Sequence, residues 1–503
     1  MNLAESFSAS AQKHSGKTAL FCGDTEFSYA QFLAQARWLA VQLQQEFGVQ
    51  PGDRIALWLK NCPEFIPSLY GVLLAGGVVV PINNFLKPEE VKHILEDAGV
   101  NVMITQSAFA EALPILSANR PELRFFQVEQ LAASDVAVST RVAGPARTES
   151  DLAFIVYTSG TTGRPKGAML SHGNLLCNVE SCRQVLAAVD HDRFVVLLPM
   201  FHSFMLCVGL LLPLSVGGSL VLIKSLHPPK SVLQEIIRHQ ATLLPAIPQF
   251  FRALLEAQIP PGLPLRLCIS GAAPLPVETL TAFLQKFTIP LIEGYGLSEA
   301  SPVVSMNPIN GVRKPGSIGI PVPGVEVSVQ SESGEILPSG QIGEICVRGG
   351  NVMQGYWNQV EETNKALRNG WLLTGDVGCR DEDGYFYITD RKKDMLLVNG
   401  INVYPREIEE VIYQFPGVKE AAVISQADPR KGEHPVAFVA PNDNVTLDEK
   451  TLLHFIRGKL ADYKVPRRIH FVASLPRNAT GKILKTSLRQ IPSEVLTSAR
   501  PEA

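Results

Sequence analysis

Tyr157-Thr158-Ser159-Gly160-Thr161-Thr162-Gly163-Arg164-Pro165-Lys166-Gly167 follows directly on the strand-like run 154–157. Three glycines, four hydroxyls and a lysine sit together on this loop. Glycine lets backbone N–H groups approach oxyanions, hydroxyls donate hydrogen bonds, and Lys166 adds positive charge. That is the chemistry a polyphosphate requires. A surface turn rich in small residues does not explain such density beside a buried strand. Nor is this a Walker A loop, which needs glycine where Pro165 stands and serine or threonine where Gly167 stands.

Outward from the loop, helix and strand alternate. Ser28 can cap a helix whose apolar face is Phe32, Leu33, Ala36, Leu39, Ala40 and Leu43, spaced at the helical period. Gly48 and Pro51-Gly52 end it. Strand-like runs follow at 55–59, 78–82 and 102–105, separated by helical stretches at 64–74 and 88–97. The same alternation resumes over 152–292, the pattern of parallel, doubly wound sheets. After Ser301 short β-rich pieces divided by glycine and proline predict a small barrel-like subdomain. Beyond Arg391 the chain reads as a compact α+β unit. Its helix at 405–413 is followed by strands at 421–424 and 436–439. Thr446 and Glu449 then read as a capping box opening another helix.

The chain has 503 residues, and dividing by about 150 gives roughly three domain-sized units. It is 46% hydrophobic and 18% charged, a well-packed composition rather than a disordered one. A net charge of -3 argues against a nucleic-acid binder. Eight cysteines lie scattered without a CxxC pair, which predicts reduced thiols rather than disulfides or zinc. No signal peptide opens the sequence and no peroxisomal tripeptide closes it, so a cytoplasmic location is expected. Residues 195–223 carry no formal charge, long enough to raise a membrane span. Pro199, His202, Pro213, Gly217 and Gly218 interrupt the run. It reads instead as a buried strand (195–198), a loop, an apolar helix and a second strand (219–223). Peripheral membrane contact and a homodimer are left open.

The loop 158–167 resembles the signature of the adenylate-forming superfamily of acyl-CoA synthetases, luciferases and adenylation domains. Further blocks follow in that family's order. Ser270-Gly271-Ala272-Ala273-Pro274-Leu275 resembles its adenine loop. Glu293-Gly294-Tyr295-Gly296-Leu297-Ser298-Glu299 is similar to its nucleotide and magnesium motif. Thr374-Gly375-Asp376 looks like its ribose loop and Asp390-Arg391-Lys392-Lys393 like its interdomain hinge. Pro476-Arg477-Asn478-Ala479-Thr480-Gly481-Lys482 resembles its C-terminal lysine loop. Six blocks in order are specific, and they span nearly the whole chain.

The resemblance implies an α/β fold: a large N-terminal domain (1–390) of two doubly wound mixed sheets plus a β-barrel-like subdomain, a hinge (391–394), and a small mobile α+β C-terminal domain (395–503). It also implies roles. Thr158, Ser159, Gly160, Thr161, Thr162, Gly163, Lys166, Gly271, Ala272, Ala273, Glu293, Gly294, Tyr295, Gly296, Ser298, Asp376, Arg391 and Lys482 would line the ATP site. Catalysis would rest on Lys482, His202, Thr158 and Glu299. A carboxylate attacking a nucleotide with about four negative charges needs cations to screen it, and Mg2+ is best held by hard oxygens, here Thr158 and Glu299. Asp376 suits a ribose diol because one carboxylate accepts two hydrogen bonds. Tyr295 offers adenine a flat face. Lys393 would be the hinge, and Gly400 would leave a tunnel for coenzyme A.

Phe201, His202, Met205, Leu206 and Gly209 would line the acyl pocket. Amino-acid-activating relatives place an aspartate just beyond the aromatic; here Ser203, Phe204 and Met205 stand there. Nothing in that stretch neutralises a substrate ammonium, whose burial would cost several kcal/mol. An apolar acid fits. The expected reaction is therefore fatty acid + ATP + CoA to acyl-CoA, AMP and pyrophosphate through an acyl-adenylate. An aryl or short-chain ligase, or an acyl-AMP ligase loading a carrier protein, is the alternative. Leu397 stands where luciferases and coumarate ligases have lysine, so that lysine's role does not transfer.

Overall fold

The structure, a computed structural model, describes residues 1–118, 120–133, 146–158, 165–225, 229–258, 262–392, 394–398, 401–428, 432–477 and 483–489. The expected roles of Ser159, Gly160, Thr161, Thr162, Gly163, Lys393, Gly400 and Lys482 lie outside the described residues.

The first predicted helix forms as Tyr29–Gln45. Ser28 caps it: its hydroxyl accepts from Gln31 N, and the Gln31 side chain returns the bond to Ser28 N. All six predicted apolar residues are buried. Runs of β-branched and aliphatic residues give the predicted strands Arg54–Trp58, Val78–Pro81 and Val102–Thr105, with helices Phe65–Leu74 and Pro88–Ala98 between them.

Two large sheets result. One runs, in spatial order, Gly355–Tyr356, Lys166–Ser171, Leu152–Thr158, Val78–Pro81, Arg54–Trp58, Val102–Thr105 and Arg124–Gln127. Its last five strands are parallel, and the first two are antiparallel additions at the edge. The other runs Ile320–Pro321, Val303–Met306, Leu291–Gly296, Leu267–Ser270, Leu243–Ala246, Arg193–Val196, Ser219–Leu222, Thr18–Cys22 and Thr25–Ser28. It is parallel at its centre and antiparallel at both edges. One continuous apolar core joins the two sheets. The parallel centres are what the alternation predicts, and the antiparallel edges make these the mixed, doubly wound sheets the resemblance implies.

The glycine-rich stretch after Ser301 forms an antiparallel sheet of Val325–Gln330, Gly343–Gly349, Trp371–Arg380 and Leu367–Arg368, with Phe386–Arg391 on the long central strand. A further sheet of Ile401–Val403, Leu396–Val398, Gly432–Pro441, Val418–Asp428 and Ile469–Phe471 has its own apolar cores. The chain thus changes sheets between Arg391 and Leu396.

Two local expectations need correction. The strand predicted at 195–198 is Arg193–Val196. Arg193 pairs with Ser219 of the neighbouring strand, which extends the ladder backwards. At the other end Asn61 replaces a strand partner: its amide donates to Leu198 O, and its Oδ1 accepts from Met200 N, both at 2.8 Å. The helix expected to open at Thr446 is Glu449–Arg457, capped by Asp448, which accepts from Thr451 N at 2.8 Å. Glu449 is drawn away instead, accepting from Ile469 N at 3.0 Å. The charge-poor run 195–223 folds inside the core, and among the described residues no helix is long and apolar enough to cross a membrane.

Candidate active site

The candidate residues gather at the carboxyl ends of parallel strands, where open α/β sheets place their ligands. Leu152–Thr158 delivers Thr158, Leu267–Ser270 runs into Gly271, and Leu291–Gly296 continues to Ser298 and Glu299. Met353 N donates to Glu299 O at 2.8 Å and fixes that loop. Glu299 Oε1 then accepts from Tyr356 OH at 2.9 Å and from Thr158 Oγ1 at 3.4 Å. Lys166 is buried, its ammonium paired with Glu362 and 5.3 Å from the Tyr356 ring centre. The bonds from Lys166 and Lys365 hold the Glu362 carboxyl down at about 2. Burial, reinforced by the charge of Glu299, pushes the Tyr356 phenol up. Tyr356 therefore stays a donor.

A second cluster forms where Trp371–Arg380 and Phe386–Arg391 pair Asp376 with Arg391. Tyr295 OH donates to Asp376 Oδ2 at 2.5 Å, and Arg391 Nε lies 3.2 Å from Asp376 Oδ1. The sequence nominates these three residues separately. The structure brings them together. Asp376 is set by its own loop: Thr374 Oγ1 accepts from Asp376 N, and Gly375 takes a positive φ of 73°.

The remaining predicted positions are mostly backbone. Ala272 has a left-handed φ of 65°, uncommon for a residue with a side chain and a form of strain that clusters at ligand sites. A Cβ on Gly271 would meet the Phe204 ring at 3.1 Å, and one on Gly296 would lie 2.2 Å from Pro302 O. A side chain at Gly296 would meet backbone, so glycine must stay there, while one at Gly271 would press on the Phe204 ring. Glu293 is buried: Oε1 accepts from Leu275 N at 3.0 Å, while Oε2 has no hydrogen-bond partner among the described residues. Burial pushes this carboxyl up to about 7, against the opposing charge of Arg406.

His202 and the apolar segment complete the site. His202 Nδ1 accepts from Phe204 N at 3.3 Å. Phe201, Met205, Leu206 and Gly209 are buried. Met205–Leu211 forms a π-helix, an uncommon turn frequent at functional sites, and runs on as the α-helix Leu212–Val216. A Cβ on Gly209 would fall 2.0 Å from Met205 Sδ, so the thioether occupies the space glycine leaves. Ser203 Oγ lies 3.0 Å from Ser298 Oγ and joins this apolar segment to the nucleotide loop.

Residues 7–357 match the AMP-binding enzyme family, and residues 407–482 match the AMP-binding enzyme C-terminal domain. The chain belongs to the AMP-binding enzyme family. This AMP-binding enzyme is 37% identical over 525 residues to the long-chain-fatty-acid–CoA ligase of Bacillus subtilis (strain 168), covering 96% of this chain and 93% of that protein. It is 38% identical over 483 residues to the feruloyl-CoA synthase of an Amycolatopsis species, covering 94% and 95%. Among solved structures, ATP-bound MatB from Rhodopseudomonas palustris matches with a TM-score of 0.90 at 34% identity, over 99% of this chain and 100% of that one.

Sequence reasoning missed Tyr356, Glu362 and Asn61. Tyr356 and Glu362 act on motif residues and Asn61 on the backbone leading to His202, all from far away in the chain. Only the aromatic pair Tyr356-Trp357 beside Gly355 offered a signal.

Proposed function

We propose that this AMP-binding enzyme is an ATP-dependent fatty-acid–CoA ligase that works through an acyl-adenylate. The supporting observation is the Ser203–Ser298 contact, which sets an apolar segment against the loop carrying Glu299. An acyl chain held along Met205–Leu211 would present its carboxylate near His202, beside the nucleotide. Lys166 would neutralise phosphate charge, Asp376 with Tyr295 and Arg391 would hold the ribose, and Lys482 would bridge carboxylate and α-phosphate. Thioester formation would follow as the C-terminal domain turned about the segment 391–394 and coenzyme A passed Gly400. Catalysis then lies in positioning and charge neutralisation, with no covalent enzyme intermediate.

The donor set suits Mg2+. Glu299 and Thr158 offer a carboxylate and a hydroxyl 3.4 Å apart, both hard oxygens. Among the described residues no three His, Cys, Asp or Glu side chains cluster. One carboxylate completed by phosphates and water is how Mg2+ is usually held, rather than in an all-protein cage. When bound, the ion would screen the phosphates from the incoming carboxylate.

Likeness to a feruloyl-CoA synthase supports a second reading, an aryl acid in the same pocket. Pyrophosphate release measured with acetate through palmitate, ferulate and leucine separates them. Each buried methylene should add about 0.8 kcal/mol, roughly fourfold in kcat/KM, until the pocket is full. A flat series with faster ferulate turnover would reverse the choice.

A further inference from the structure

The segment Gly355–Ala366 carries none of the family blocks, yet it stands directly behind the nucleotide loops. Gly355–Tyr356 adds to the edge of Lys166–Ser171, pairing Gly355 with Met169 and Tyr356 with Ala168. Trp357 N donates to Gly167 O at 2.8 Å. The helix Val360–Ala366 then folds back, and Thr363 Oγ1 accepts from Tyr356 N at 2.8 Å. The segment is thus tied to the phosphate loop's own strand and to itself. Two side chains leave it toward the site. Tyr356 OH donates to Glu299 Oε1 at 2.9 Å, and the Glu362 carboxylate pairs with the Lys166 ammonium. Lys365 Nζ donates to Glu362 Oε1 at 2.7 Å and steadies it from outside.

Resting on the reading of Glu299 and Lys166 as Mg·ATP residues, we propose that Tyr356 and Glu362 are positioning residues, Tyr356 aiming Glu299 and Glu362 aiming Lys166. A neutral O–H donor fixes a carboxylate without cancelling its charge. Among the described residues both donors to Glu299, Tyr356 and Thr158, meet Oε1, which leaves Oε2 to face a cation. A ligating carboxylate held in this way loses less rotamer freedom when the ion arrives. Glu362 confines a flexible four-carbon stem and so holds the Lys166 ammonium in one place on its strand. Neither residue need touch substrate.

The test compares Tyr356→Phe, Glu362→Gln and Glu299→Gln. Tyr356→Phe keeps the ring beneath Lys166 and removes one O–H. Its half-saturating Mg2+ concentration for pyrophosphate release should rise roughly tenfold, with the KM for fatty acid unchanged. Binding of Mn2+ with a non-hydrolysable ATP analogue, followed by electron paramagnetic resonance, should weaken to the same extent. Glu362→Gln should raise the KM for Mg·ATP about threefold or more and leave half-saturation by Mg2+ at saturating nucleotide unchanged. Wild-type Mn2+ binding by Tyr356→Phe, alongside weakened binding by Glu299→Gln, would overturn the proposal for Tyr356. An unchanged nucleotide KM in Glu362→Gln would overturn it for Glu362. Wild-type Mn2+ binding by Glu299→Gln would remove the metal reading itself.

Discussion

Glu293 shows how one residue can be read for chemistry and be held by packing. Its carboxyl is buried with one oxygen lacking a hydrogen bond among the described residues, and burial pushes it from 4.5 to about 7, with Arg406 opposing the shift and Glu410 adding to it. Because the folded pKa is the higher one, the folded chain binds more protons between those values. Stability then falls as pH rises from about 4.5 to 7, by on the order of 3 kcal/mol. Glu293→Gln keeps the acceptor for Leu275 N and cannot ionise. Its melting midpoint should therefore lose that downward slope between pH 5 and 7.5 and exceed the wild type's at the upper end. Parallel curves for the two proteins would mean that Glu293 stays ionised in the fold. At this scale the sequence shows residue types and spacing, but partners only where they lie nearby. The phosphate-loop lysine and Glu299 were legible. Tyr356 and Glu362, which hold them across 57 and 196 residues, were not.

At the level of elements, the pattern of apolar residues proved a sound guide wherever one face is buried. The helix Tyr29–Gln45 begins at its predicted cap, and Pro405–Tyr413 has its predicted bounds. The failures have local causes. Asn61 ends a strand two residues early through side-chain bonds to Leu198 and Met200, which no periodicity in the strand itself encodes. Near residue 446 the sequence reading takes Thr446 for the cap, but Glu449 could serve that cap or a neighbouring strand. The long-range bond to Ile469 N decided it. Asp448→Ala should therefore destabilise the C-terminal domain by about 1 kcal/mol in urea unfolding, while Thr446→Ala should change little. Equal losses would restore the threonine cap.

Across the whole molecule, Arg252 is one of the described residues that join the two parts by directional contacts. It lies on the helix Pro248–Glu256 of the large part, and its Nη2 donates to Val418 O at 3.0 Å and to Asn442 Oδ1 at 2.9 Å in the small part. The chain in this arrangement matches an ATP-bound relative over nearly its whole length. If the small part presents Lys482 for adenylation and Gly400 for thioester formation in turn, and the arrangement shared with the ATP-bound relative is the adenylating one, contacts made in it favour the first step alone. A hydrogen bond from a charged group contributes about 1.5–3 kcal/mol, so losing it can shift a two-state balance roughly tenfold or more. Arg252→Ala should accordingly slow acyl-adenylate formation from ATP by about tenfold, and it should leave conversion of supplied acyl-adenylate to thioester at or above the wild-type rate. Lys482→Ala should abolish the first step and spare the second, and Gly400→Leu should do the reverse. Pyrophosphate release and thioester formation, assayed separately in all three variants, decide the matter. Equal loss of both steps in each would mean one fixed arrangement serves both reactions, and Arg252 would then be a structural tie and nothing more.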